Sequence, residues 1–277
     1  MKEVAQIRSV EVKIEKLDTS LFDKVESQSE EGDKKSWLAL QRVVRATQES
    51  YVYLEIGSYL GGSIQPYLVD PRCRTIYSID KRPLDQPVAD DRGLLCRYEA
   101  GSTKNMLANL ERVDAAQLHK VVCFDTETEA MDRASIKHPP DLCFIDGEHT
   151  RAAVLRDFEF CLSVCSKSAV IYFHDDVVID SAIARILKAL RKRGIRYKAL
   201  KLDGSTFAIA LGESPRVQDD RLLRAADSGH FFLFRWQMVK LSERLGFRPV
   251  IRRIKGFLAS RFGWKGAATS SMSRVFQ

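Results

Sequence analysis

The chain has 277 residues, 45% hydrophobic and 29% charged, with a formal net charge of +7. That composition is globular and excludes collagen-like, disordered and disulfide-scaffold classes. No apolar run reaches the roughly 18 residues that a membrane-spanning helix needs. The opening MKEVAQIRSVEVKIEKLD also lacks the apolar centre of a secretory signal.

Residues 1–35 read as a polar N-terminal extension, and ESQSEEGDKKS within it is expected to be flexible. From Trp37 the apolar residues return at helical spacing, with Leu40, Val43 and Val44 on the same face. An alternation of strand and helix signals follows. YVYLEIG, TIYSID, KVVCFD, DLCFIDG and AVIYFHDD are five short apolar runs, each ending in an acid or glycine. Apolar residues on both sides of such a run suit a strand buried on both faces, as in a parallel sheet. Between the fourth and fifth runs, Val154, Phe158, Cys161, Leu162 and Cys165 share one helix face. Asp180 is expected to cap a helix carrying Ile183, Ile186, Leu187 and Leu190, which Gly194 ends. RYKALKLDGSTFAIALGE reads as two strands joined by a turn at LDGS. The predicted fold is therefore α/β, an open, Rossmann-like, mostly parallel sheet closed by an antiparallel hairpin.

The six cysteines form no C-x-x-C pair and several lie in apolar runs, which suits buried free thiols in a reducing compartment such as the cytoplasm. The acids at the strand ends carry the functional signal. In open α/β sheets ligands bind beyond the carboxyl ends of the strands, where Glu55, Asp80, Asp125, Asp146, Asp175 and Asp176 gather. Each alone could be a helix N-cap; a whole set of caps is a poorer explanation.

After the first strand comes Glu55-x-Gly57-x-x-x-Gly61-Gly62-Ser63. Glycine lets a backbone turn tightly and approach a ligand closely. The spacing is not G-x-G-x-x-G, which disfavours a nicotinamide-dependent oxidoreductase. Together with IYSIDKRP, DLCFIDGEHTRAAVLRDFE and AVIYFHDD, the loop resembles the class I S-adenosylmethionine-dependent methyltransferases. More narrowly it resembles their family 24, near the macrocin and catechol O-methyltransferases, from about Trp37 to Gly212.

The resemblance implies a seven-stranded sheet and a methyltransferase domain over residues 36–212. It implies that Gly57, Ser58 and Gly61 wrap the methionine part of S-adenosylmethionine, with Glu55 beneath the loop and Asp146 beside it. Asp80 would accept hydrogen bonds from the ribose hydroxyls, and Thr126 would lie nearest the adenine. Asp146, Asp175 and Asp176 would hold Mg²⁺, because three adjacent carboxylates need a neutralising cation and hard oxygen ligands suit that ion. Capping without metal is the other reading of the acid pair. His149 or Glu148 would take the proton of a substrate hydroxyl. His174 is either a second candidate or a hydrogen-bonded core residue, and His119 and His138 read as surface residues.

Residues 213–277 form a basic aromatic extension. Between Phe231 and Gly266 nine Lys and Arg face the single acid Glu243, more than the net charge of the whole chain. Such a segment (residues 230–266) suits peripheral contact with an anionic inner membrane surface, packing on the domain, or a homo-oligomer contact. No motif accompanies the charge that would indicate nucleic acid. The expected function is O-methylation of a small molecule, sugar or glycan. The alternative is an inactive scaffold of the same fold anchored through the tail.

Overall fold

The computed structural model describes residues 2–82, 86–89, 95–98, 101–212, 223 and 226–244. Two compact units are present, Met1–Gly229 and His230–Gln277.

In the first unit, helices α1 (Lys2–Glu15) and α2 (Glu31–Thr47) precede strand β1 (Tyr51–Ile56). Then come α3 (Gln65–Val69), β2 (Cys73–Asp80), the short strands β3 (Gln86–Ala89) and β4 (Leu95–Tyr98), and α4 (Thr103–Asp114). Next are β5 (Val121–Asp125), β6 (Leu142–Ile145), α5 (Arg151–Val164), β7 (Val170–Phe173) and α6 (Asp180–Lys192). The hairpin β8 (Tyr197–Lys201) and β9 (Phe207–Leu211) and the two-residue β10 (Asp227–Ser228) complete it.

The strand order is β10-β8-β9-β7-β6-β1-β2-β5. Neighbours from β7 to β5 are parallel, and β9 runs antiparallel to both β7 and β8. This is the expected seven-stranded sheet and hairpin, with β10 added at one edge. The chain leaves β1 for β2 and β5 and returns to β6 on the other side of β1, so a switch-point crevice opens above β1 and β6. β1, β6, β7 and β9 are buried at every position, as strands covered on both faces must be.

Trp37 of α2 anchors one face. Its ring lies 4.7 Å from Phe144 and 6.0 Å from Phe22, and its indole N–H donates to Thr206 Oγ1 at 3.0 Å. Cys73, Cys143 and Cys161 are buried free thiols, as read from the apolar runs around them, while Cys123 and Cys165 are half-buried.

Three readings of the sequence are corrected. ESQSEEGDKKS is not the flexible stretch expected, because Glu31 to Ser36 form the first turns of α2. Nor do residues before 36 stand outside the domain: Ile14, Phe22 and Val25 are buried in its core cluster. A polar composition hid three anchoring hydrophobes. Asp180 begins α6 rather than capping it, Ile179 being the cap residue. Gly194, in the left-handed region at φ +66°, closes that helix.

The described part of the second unit, residues 230–244, belongs to helix α7 (Gly229–Arg244). Phe231, Phe234, Met238 and Leu241 are exposed on it. Residues 245–266 of the basic segment lie outside the described residues. No described helix is long and apolar enough to cross a membrane.

Candidate active site

The turn after β1 is built for close approach. The Gly57 amide donates to Ile79 O and the Asp146 amide to Ile56 O, both at 2.9 Å, so the ends of β1, β2 and β6 are tied together. Gly57 has φ +89°, and a Cβ there would lie 2.2 Å from Asp146 O. Only glycine fits between the two strand ends.

Beneath this turn lies Glu55, fully buried. Its carboxylate accepts from Ser63 Oγ and, at 2.7 Å, from the Tyr53 hydroxyl. Tyr53 and Tyr67 hydroxyls meet that of Tyr172 at 3.3 and 2.8 Å. Burial raises the Glu55 pKa to about 8 against the lowering effect of its two hydroxyl donors. Glu55 is thus a buried support for the loop and is not in the wall of the cavity.

The cavity above has a volume of about 390 Å³. Gly57, Ser58, Asp80, Asp146, Glu148 and Asp175 are among the residues that line it. Asp80 accepts the Tyr59 amide at 2.6 Å. A carboxylate has about four acceptor positions, so capacity remains for a ligand's hydroxyls. Burial raises its pKa against the lowering effect of that amide and of Arg82. Arg82, buried beside it, donates to Asp125 Oδ1 at 3.1 Å and Ser78 Oγ at 3.1 Å. Gly61 turns the loop at φ +85°, but faces Met106 and Leu110 instead of the cavity. Thr126 is also outside the wall, its hydroxyl meeting Glu127 O at 3.5 Å.

At the far end, Asp146, His149 and Asp175 offer one ligand atom each, all within 4.8 Å of one another. His149 Nε2 lies 3.8 Å from Asp146 Oδ1 and 3.6 Å from Asp175 Oδ2, and it is buried without a hydrogen-bond partner. Burial lowers the His149 pKa, but Asp146 and Asp175 outweigh it and leave it raised. Burial likewise raises the Asp146 pKa, and His174 and His149 outweigh it and leave it lowered. Asp175 adopts φ +52°, which swings its neighbour the other way. Asp176 is fully buried and lies 3.3 Å from the Lys201 ammonium. The predicted trio of Asp146, Asp175 and Asp176 is therefore corrected: the structure groups Asp146 and Asp175 with His149, and Asp176 pairs with β8. Glu148 accepts the Thr150 hydroxyl at 2.8 Å at the cavity edge.

Sequence reasoning undervalued His174. Its Nδ1 is 3.2 Å from Asp146 Oδ1 and its Nε2 is 3.5 Å from Asp33 Oδ2. Burial lowers its pKa, yet Asp146 and Asp33 leave it well above the ordinary value. His119 and His138 are exposed, as expected.

Residues 54–175 match the profile of a family described as a methyltransferase domain, the one numbered 24. Among solved structures, the calicheamicin methyltransferase CalS11 is similar at TM-score 0.50 and 14% identity, covering 64% of this chain and 78% of that one. The O-methyltransferase TomG from Streptomyces achromogenes, involved in tomaymycin synthesis and solved with S-adenosylmethionine, is similar at TM-score 0.44 and 16% identity, over 64% and 79% of the two chains. No curated protein sequence matches the chain. The family match falls on the sheet, the glycine turn and the strand-end acids just described, so residues 54–175 of this chain are similar to a methyltransferase domain.

Proposed function

We propose that the enzyme methylates a hydroxyl oxygen of a small polyhydroxylated molecule, a sugar or glycan, with a divalent cation at Asp146 and Asp175. The observation that carries this reading is one continuous cavity. It runs from the glycine turn and Asp80 to the cluster of Asp146, Glu148 and Asp175.

The residues fit both groups. Gly57 and Ser58 present their backbone to the cavity, and Asp80 keeps acceptor capacity for ribose hydroxyls. Asp146 and Asp175 supply the one or two carboxylates that Mg²⁺ takes alongside water. When bound, the sulfonium supplies an electrophilic methyl and the cation a Lewis acid for the hydroxyl. His149 is the candidate general base. It is unpartnered at Nε2 and made more basic by two carboxylates. With Gly57, Ser58 and Asp80 holding the methyl donor and Asp146 and Asp175 holding the acceptor oxygen, His149 Nε2 would take the proton of the substrate hydroxyl. Holding the acceptor in line with the methyl is the main contribution of the site.

The wall supports a sugar over an aromatic ring. Glu26, Gln28, Ser29 and Glu148 line it, while Tyr59 and Leu60 are its bulky less polar side chains. The test is calorimetry with S-adenosylmethionine and S-adenosylhomocysteine, with and without Mg²⁺, followed by a methyl-transfer screen over hydroxylated sugars. Micromolar cofactor binding and transfer to a sugar hydroxyl are expected. A folded protein that binds neither nucleoside would instead support the inactive scaffold reading.

The exposed Phe231, Phe234, Met238 and Leu241 of α7, in a segment rich in bases, support peripheral attachment to anionic membranes. Truncation after Ser228 is expected to abolish sedimentation with phosphatidylserine vesicles.

A further inference from the structure

Part of the cavity wall comes from the N-terminal segment. Glu26 to Ser29 line the cavity, although they precede α2 and lie outside the matched family region.

One fully buried side chain fastens this strap. Gln65 Oε1 accepts the amides of Lys24 and Val25 at 3.0 and 2.9 Å. Its Nε2, with two hydrogens to give, lies within hydrogen-bond distance of three carbonyls, Phe22 O, Val25 O and Gly62 O, at 2.8, 2.7 and 2.7 Å. A single carboxamide thus clamps the strap to the glycine loop. The fit is close: a Cβ on Gly62 would lie 2.4 Å from Glu26 O and 2.8 Å from Ser27 Cβ. Phe22 and Val25 in the core, and Lys24 Nζ donating to Val113 O at 2.9 Å, anchor the same segment.

Ser27 therefore sits against the glycine loop and lines the cavity. Its hydroxyl is buried and has no hydrogen-bond partner in the protein. A buried hydroxyl left unpaired costs free energy, so such an atom in a cavity wall is available to a ligand's acceptor. Among the cavity-lining residues, Lys81 and Arg82 both follow Asp80 and are paired with Glu127 and Asp125. An anionic group at the glycine-loop end must then be met by neutral donors.

We propose that the Ser27 hydroxyl donates a hydrogen bond to the α-carboxylate of the methionine part of S-adenosylmethionine, with Gln65 as the residue that positions it. This rests on the cofactor reading above and adds a binding residue from outside the matched domain.

The test compares two ligands that differ only in that carboxylate, S-adenosylmethionine and decarboxylated S-adenosylmethionine, by calorimetry on the full chain. Wild type should prefer the carboxylated form. Ser27→Ala should weaken S-adenosylmethionine about tenfold and leave the decarboxylated ligand unchanged, as for one lost hydrogen bond to a charged group. Retained binding of the decarboxylated ligand shows that the variant is folded. An unchanged ratio of the two affinities in Ser27→Ala overturns the proposal, whether both bind as before or both weaken equally. Wild type binding neither ligand overturns the cofactor reading and this proposal with it.

Discussion

His174 stands 3.5 Å from Asp33, its Nε2 facing Oδ2, so a helix that precedes the sheet reaches the histidine at the end of β7. Asp33 is buried, and its Oδ1 also accepts from Ser205 N, Ser205 Oγ and Thr206 Oγ1 at 2.7, 3.1 and 3.1 Å. The other side of the imidazole faces Asp146 at 3.2 Å. One acid thus holds the β8–β9 turn and a histidine of the cavity wall together. Asp33→Asn keeps the shape and one acceptor but removes the charge. It is expected to lower the His174 pKa and to cost about 1–3 kcal/mol of stability. Proton NMR titration of the imidazole and chemical denaturation read the two effects separately. A stability loss without a change in the titration would reduce Asp33 to a structural clamp.

Adjacent acids should behave differently. Asp175 lines the cavity with Asp146, the two standing beside His149, whereas Asp176 faces Lys201. Asp175→Asn should weaken Mn²⁺ binding, read by electron paramagnetic resonance, by more than the about 10–100-fold that outer-shell partners are worth. Asp176→Asn should leave Mn²⁺ affinity within a few-fold and change the melting temperature only modestly, since the Lys201 ammonium keeps the carbonyls of Leu202, Gly204 and Thr206 as acceptors. Equal loss of metal affinity in both variants would restore the trio read from the sequence.

Glu55 makes a prediction about pH. Its folded pKa is about 8 against an ordinary 4.5, so between those values the native state keeps a proton that the unfolded chain has released. Stability therefore falls as pH rises from about 4.5 to about 8. Glu55→Gln removes the titration while leaving groups that can bond Ser63 and Tyr53. Its melting temperature should vary less across that window, and circular dichroism melts at pH 5, 6.5 and 8 would show it. An identical slope in the two proteins would mean that Glu55 stays ionised.

The strands were legible because each is a short apolar run closed by an acid or glycine, the pattern that a sheet buried on both faces imposes. The acids of the site were legible for the same reason, since the ends of those runs fix where Asp80, Asp146 and Asp175 emerge. What sequence could not give was direction. Asp175 and Asp176 are chemically identical neighbours, and only the φ of +52° at Asp175 sends them to different partners. The pair β3 and β4 escaped because Pro87 stands inside it, and proline demotes a strand reading. Asp33 and Ser27 lie in a polar run with no period. Their roles arise from contacts with residues more than a hundred positions away or from a clamp made by one glutamine, and neither leaves a local signature.

Asp80 is the sharpest test of where the ribose binds. Its carboxylate ends β2, already accepts the Tyr59 amide at 2.6 Å and lines the cavity. Two ribose hydroxyls would each need an acceptor, and a carboxylate is the group that offers several and donates nothing. Asp80→Asn replaces one acceptor oxygen by a donor and removes the charge. S-adenosylhomocysteine affinity should fall by about 1.5–3 kcal/mol, the range for hydrogen bonds to charged groups. Burial raises the Asp80 pKa, and the ligand selects the ionised form. Wild-type affinity should therefore strengthen as pH rises through that pKa, and the dependence should vanish in Asp80→Asn. Calorimetry of both proteins at several pH values measures this directly. Unchanged affinity in the variant would move the ribose away from β2 and leave Asp80 with a structural task, holding the Tyr59 amide.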